Sequence, residues 1–254
     1  MDLDGVLYLE LVSSSSQITQ QVLCSVLPME WASALSTRGW KPADVAQLLD
    51  AVHPVGGSID VYPPRDDVFR AFHETPLACV RTVILGQDPY YDDPRKAHGL
   101  AFSVRPGTPV PRSLRMVFRA LAADIPGSID PERQIKDLSQ WATGAGVLLL
   151  NTALSVEKGR PESHLQQWKG FTAAVLELLR DRTEPVAFLL WGEKAITRGL
   201  GVGVDVPPHE VFEAAHPRPG AKLHGRSFAE AHSFRRSNDF LSKTPRGPVN
   251  WSLA

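Results

Sequence analysis

Four short apolar runs punctuate the chain: "TVILGQ" at 82–87, "GVLLLN" at 146–151, "PVAFLLWG" at 185–192 and "HEVFEAAHP" at 209–217. Bounded by turn-forming residues, they read as strands. Segments of helical period separate them. Leu114, Val117, Phe118 and Leu121 fall on one face of a helix that Ser113 is placed to cap, and residues 165–180 form a longer one. Strands alternating with helices predict an α/β fold, a single domain with a central four-stranded, mainly parallel sheet flanked by helices. The run "GLGVG" at 199–203 lacks G-x-G-x-x-G spacing and any following Lys-Ser/Thr, so it reads as a helix exit rather than a phosphate loop. Residues 1–27 show no period and are expected to form a peripheral extension to a domain spanning 28–254.

Each apolar run ends in a polar candidate: Asp88, Asn151, Gly192 followed by Glu193, and His216. Open parallel sheets bind ligands beyond the carboxyl ends of their strands, so four distant segments are expected to converge on one site. Taken singly, Asp-Pro and His-Pro often do no more than end a strand. Their shared placement favours function.

Composition narrows the chemistry. A length of 254 residues with 43% apolar content suffices for one substantial core. No run approaches the roughly 18 apolar residues of a membrane span, and Asp2 and Asp4 stand where a secretory signal is basic. An intracellular, cytoplasmic protein with no membrane association is expected. Cys24 and Cys79 form no C-x-x-C pair, so no metal and no cofactor are expected, and the chemistry falls to ordinary side chains. The net charge of −1 gives no overall signature of nucleic-acid binding. Its distribution does: Arg218, Lys222, Arg226, Arg235, Arg236, Lys243 and Arg246 crowd the C-terminal segment against only Glu230 and Asp239. Arg112, Arg115 and Arg119 would form a second stripe along one helix.

Four stretches, "GQDPYYDDPRKAHGLAFSV" (86–104), "GVLLLNTALSV" (146–156), "FLLWGEKA" (188–195) and "AAHPRPG" (214–220), closely resemble, in order and spacing, the signatures of family 1 uracil-DNA glycosylases. With "VYPP" (61–64) and "VNWSL" (249–253) the similarity covers nearly everything after about residue 29. The resemblance implies an enzyme that flips uracil out of single- or double-stranded DNA and hydrolyses its bond to deoxyribose, leaving an abasic site. A monomer is expected.

By the same resemblance, Asp88 and Gln87 face the sugar, with Asp88 orienting the attacking water. His216 matches the donor to the developing charge on the leaving base, and can serve with one N–H while neutral. Asn151 carries the donor and acceptor needed to meet uracil N3–H and O4, a pattern that cytosine reverses. Phe102 matches the stacking ring, and Tyr90 the ring that fills the space where thymine carries its methyl. The implied DNA contacts are Pro109 and Ser113 in "PGTPVPRS", Gly192 before the next helix, and the His-Pro loop with Pro217 and Arg218.

Three departures stand out. Glu193 replaces the usual serine after Gly192, Tyr91 replaces a histidine, and Gly220 stands where the family's wedge leucine enters the vacated duplex. The loop is also about two residues longer, and Lys222, Leu223 or Arg226 are expected to take over the wedge. Without the leucine, weak or no binding of the phage-encoded inhibitor of the family is expected. Three rival readings remain at this point: a uracil glycosylase of another family or a relative with changed base specificity, a noncatalytic binder of damaged or single-stranded DNA, which has no use for Asp88, and a metal-free hydrolase of free nucleosides, which has no use for the basic segment.

Overall fold

A computed structural model describes residues 26–130 and 136–253. Strand β1 (Val61–Tyr62) pairs antiparallel with β4 (Val156–Glu157) in a two-stranded ribbon. The main sheet has the order β3-β2-β5-β6, with β2 (Thr82–Gly86), β3 (Val147–Asn151), β5 (Ala187–Trp191) and β6 (Glu210–Ala214) all parallel. Every residue of β2, β3 and β5 is buried, which explains their unbroken apolar sequence. At the edge, β6 alternates and buries only Phe212 and Ala214. The α/β sheet expected from the alternating pattern is the one observed, each strand being one to four residues shorter than its apolar run.

Helices α1 (Met29–Ser36), α2 (Pro42–Val52), α3 (Arg70–Glu74), α4 (Arg112–Asp124), α5 (Ser139–Thr143), α6 (Leu165–Arg180), α7 (Glu193–Val202) and α8 (Ser233–Leu241) flank it. Helix α6 buries Trp168, Phe171, Thr172, Val175, Leu176 and Leu179, a stripe of helical period, and packs against α1 and α2. Trp31, Phe69, Phe72, Trp168 and Phe171 meet there, mostly edge to face. A second aromatic group joins Trp141, Trp191, Phe234 and Trp251 under α8. Gly203, in the left-handed region, closes α7, as a helix exit should.

Two expectations need correction. Ser113 does not cap α4: the helix starts one residue earlier, with Pro111 at the cap, and the Ser113 hydroxyl turns to another partner. Leu27, placed in the extension, is 2% exposed and belongs to the core, so the globular unit begins no later than Val26–Leu27. The rest of that extension lies outside the described residues.

Candidate active site

The four strands end together, and beyond their carboxyl ends opens a cleft of about 840 Å³ lined by Gln87, Asp88, Asn151, Gly192 and His216. The β2–β3 pairing continues past the strands: Thr152 N–H donates to the Gly86 carbonyl, and Ala153 N–H and the Thr152 hydroxyl both donate to the Gln87 carbonyl. That double grip fixes the turn carrying Asp88. Its Oδ1 accepts from Gln87 Nε2 at 3.1 Å and its Oδ2 from the Glu162 backbone N–H at 2.7 Å. Burial outweighs these two donors and raises the Asp88 carboxyl above its ordinary 3.8, with the Glu162 charge adding to the rise.

His216 follows β6 by two residues. Burial, then the nearby charge of Arg218, lowers its pKa below the ordinary 6.5, so the ring is neutral at physiological pH. Its Nδ1 is buried without a hydrogen-bond partner among the described residues. A neutral imidazole keeps one N–H donor for the cleft. Gly192, at φ +97, makes the close approach possible, since a Cβ there would stand 3.1 Å from that of His216.

Asn151 ends β3 in register with Gly86, and the missing side chain of Gly86 is what leaves room for the Asn151 amide and the Phe102 ring. Phe102 lies 5.1 Å from Trp191 and 6.1 Å from His216, ring to ring, on a backbone at φ +63 that a phenylalanine rarely adopts. A strained backbone presenting an aromatic ring to a cleft is the mark of an over-determined site. Tyr90 closes the wall: its hydroxyl donates to the Phe102 carbonyl at 3.1 Å and meets the Ser113 hydroxyl at 2.8 Å.

The rim is basic. Arg112, Arg115 and Arg119 are exposed on α4, and the first two border the cleft together with Pro109, Ser113 and Arg218. Glu193, exposed in the first turn of α7, sits where the helix dipole favours an acid. The remaining residues expected in the loop do not reach the cleft. Pro217 is buried, and Gly220 is exposed at φ +75 with open space around it. Leu223 and Arg226 exchange two backbone hydrogen bonds across His224 and Gly225, both at positive φ, closing a tight hairpin. They line a separate hollow of about 400 Å³ beside Val211 and Ala215. Lys222 is exposed and outside both linings. Arg246, counted among the basic residues, is instead structural, donating to the Val80 and Ala78 carbonyls.

Sequence reasoning missed Glu162 and Lys194, which face the cleft and are paired at 2.9 Å, and the gripping role of Thr152. An acid after a proline in an aperiodic loop carries no signal of its own. Among the described residues no cluster could hold a metal ion, and no helix is long and apolar enough to cross a membrane.

Residues 72–241 match the model of the uracil DNA glycosylase superfamily. The uracil-DNA glycosylase of Proteus mirabilis is 42% identical over 233 residues, 89% of this chain and 97% of that one. That of Deinococcus radiodurans is 41% identical over 228 residues, 89% and 88% of the two chains. The crystal structure of mimivirus uracil-DNA glycosylase superposes with a TM-score of 0.76 at 22% identity, covering 91% and 89% of the chains, a likeness of fold. The matched range contains all four strands of the sheet and the residues at their ends that line the cleft: the chain belongs to the uracil DNA glycosylase superfamily.

Proposed function

We propose that this chain is a monofunctional family 1 uracil-DNA glycosylase, which extrudes uracil from DNA and hydrolyses its N-glycosidic bond. The observation that carries the reading is the convergence of Asp88, Asn151 and His216 around the Phe102 ring in one cleft. A base inside a duplex is out of reach of a cleft this deep, so the nucleotide must be flipped into it. Stacking on Phe102 contributes about 1 to 3 kcal/mol. The Asn151 amide, fixed against Gly86, pairs with N3–H and O4 of uracil and leaves cytosine unmatched. Tyr90, held at its hydroxyl by two partners, excludes the thymine methyl by clash.

As the bond from C1′ to N1 breaks, its electron pair leaves with the base and positive charge grows on the sugar. Ionised Asp88 stabilises that charge, orients the water whose oxygen bonds to C1′ and takes the proton that this water gives up. Neutral His216 donates its N–H to the charge developing on uracil O2. Two groups with pKa values displaced by burial, one upward and one downward, thus hold complementary roles.

The DNA-facing loop departs from the family. Gly220 sits in a left-handed conformation that a leucine would enter only at a cost of about 1 to 2 kcal/mol, so the loop follows a path not built for a wedge leucine. Of the residues in 217–226, Arg218 borders the cleft, and it meets the backbone phosphate beside the flipped nucleotide in place of a wedge. The enzyme works as a monomer on chromosomal DNA inside the cell and binds the phage inhibitor weakly.

The test compares uracil release from an oligonucleotide with release from free deoxyuridine. Release from the oligonucleotide alone, with an abasic, alkali-labile strand as the other product, is expected. Equal turnover of the free nucleoside, or binding without release, overturns the reading.

A further inference from the structure

Glu162 combines three features that its neighbours in the loop do not share. It adopts φ +67, a left-handed conformation rare for a glutamate. Its backbone N–H, turned inward by that conformation, donates to Oδ2 of Asp88 at 2.7 Å. Its carboxylate turns the other way, to Lys194 Nζ at 2.9 Å in the first turn of α7. The base of the loop is tied to the segment of Asp88 by Gly159 N–H donating to the Tyr91 carbonyl at 2.9 Å, and closed on itself by the Ser163 hydroxyl accepting from Glu157 N–H. Those ties fix the ends of the loop and leave its crest, Pro161–Glu162, exposed.

Resting on the glycosylase reading above, we propose that Glu162 and Lys194 are positioning residues for Asp88: their ion pair straps the loop crest to α7 and so holds the Glu162 N–H against the Asp88 carboxylate. Rare backbone conformations persist only where their surroundings over-determine them: the Glu162 carbonyl accepts from Leu165 N–H at the start of α6, and the strap adds a second hold through the side chain. The inward hydrogen bond selects the rotamer of Asp88, together with Gln87 on the other oxygen, so that the carboxylate is aimed before substrate arrives. The pair is also charge-balanced. A lone glutamate at this rim would repel both Asp88 and DNA phosphate, and Lys194 offsets part of that charge, the remainder still acting on Asp88.

Because both side chains are roughly half exposed in the free protein, the pair is a modest one, and its effect on rate is correspondingly bounded. The experiment is the single-turnover rate of uracil release from a saturating excess of enzyme over oligonucleotide, which removes binding from the readout. Glu162→Gln and Lys194→Gln are each expected to slow it about three- to fivefold, the rate equivalent of an exposed ion pair's coupling. Lys194→Arg and the exchanged pair, Glu162→Lys with Lys194→Glu, are expected to return it to within about twofold of wild type. Unchanged rates in both single variants overturn the proposal. So does an exchanged pair as slow as the slower single variant, or an effect confined to DNA affinity, since Lys194 would then be only a phosphate contact. Absence of uracil release by the wild-type protein would instead defeat the glycosylase reading itself.

Discussion

Gly86 and Asn151 face each other at the ends of β2 and β3, and a Cβ built on Gly86 would lie 2.5 Å from Oδ1 of Asn151. The Asn151 amide therefore occupies volume that the sheet keeps empty for it. Gly86→Ala is expected to displace Asn151 and press on Phe102, overpacking that costs about 1 to 3 kcal/mol of transition-state alignment or fold stability. Uracil release should fall roughly 10- to 100-fold with DNA affinity retained. Measuring kcat/KM beside the melting temperature separates the two costs.

Asp88→Asn is expected to lower uracil release by roughly 10²- to 10⁴-fold. It should also stabilise the fold. Because the folded pKa lies above 3.8, the fold favours the protonated carboxyl, and ionisation costs stability as pH rises through that folded value. The melting temperature of the variant should exceed that of wild type at pH 7, and the gain should vanish in acid below the ordinary carboxylate range. Thermal unfolding at both pH values checks it. The same raised pKa places the acid limb of wild-type kcat/KM above pH 3.8.

Asn151→Asp is expected to release cytosine and Tyr90→Ala to release thymine, each from oligonucleotides carrying that base. The first alters which hydrogen-bonding edge is matched, and the second removes the clash with the methyl. Failure of either, with uracil release intact, moves that part of base reading to another residue.

Arg218→Ala is expected to reduce the salt slope of DNA binding by about one counterion. Lys222→Ala and Arg226→Ala, away from the cleft, should change it less. Losing the guanidinium also removes a cation that disfavours protonation of His216, so the ring of the variant should titrate at a higher pH. An NMR titration of the His216 ring protons reads the shift. In a titration of wild-type activity with the phage inhibitor, incomplete inhibition at a stoichiometric amount is expected.

The sheet was legible because its strands are buried on both faces, which forces unbroken apolar runs, and because Asp88, Asn151 and His216 interrupt those runs where a parallel sheet presents ligands. The Glu162–Lys194 pair was not legible, since it depends on the path of an aperiodic loop meeting a helix 32 residues later. The His-Pro loop fell between. Its charges could be read, yet the hairpin closed by Leu223 and Arg226 turns two of the wedge candidates away from the cleft. The dipeptide His224-Gly225 was the available signal, a turn with glycine at a position of positive φ.

One hydroxyl, that of Tyr90, is shared between Ser113 at the DNA rim and the carbonyl of Phe102 beneath the base. With its one proton on the Phe102 carbonyl, the Tyr90 hydroxyl accepts from Ser113, so the rim and the wall of the cleft share a single hydrogen-bond chain. By reciprocity, whatever factor a phosphate engaged at Ser113 imposes on the affinity for a ring stacked at Phe102, that ring imposes on the affinity for phosphate.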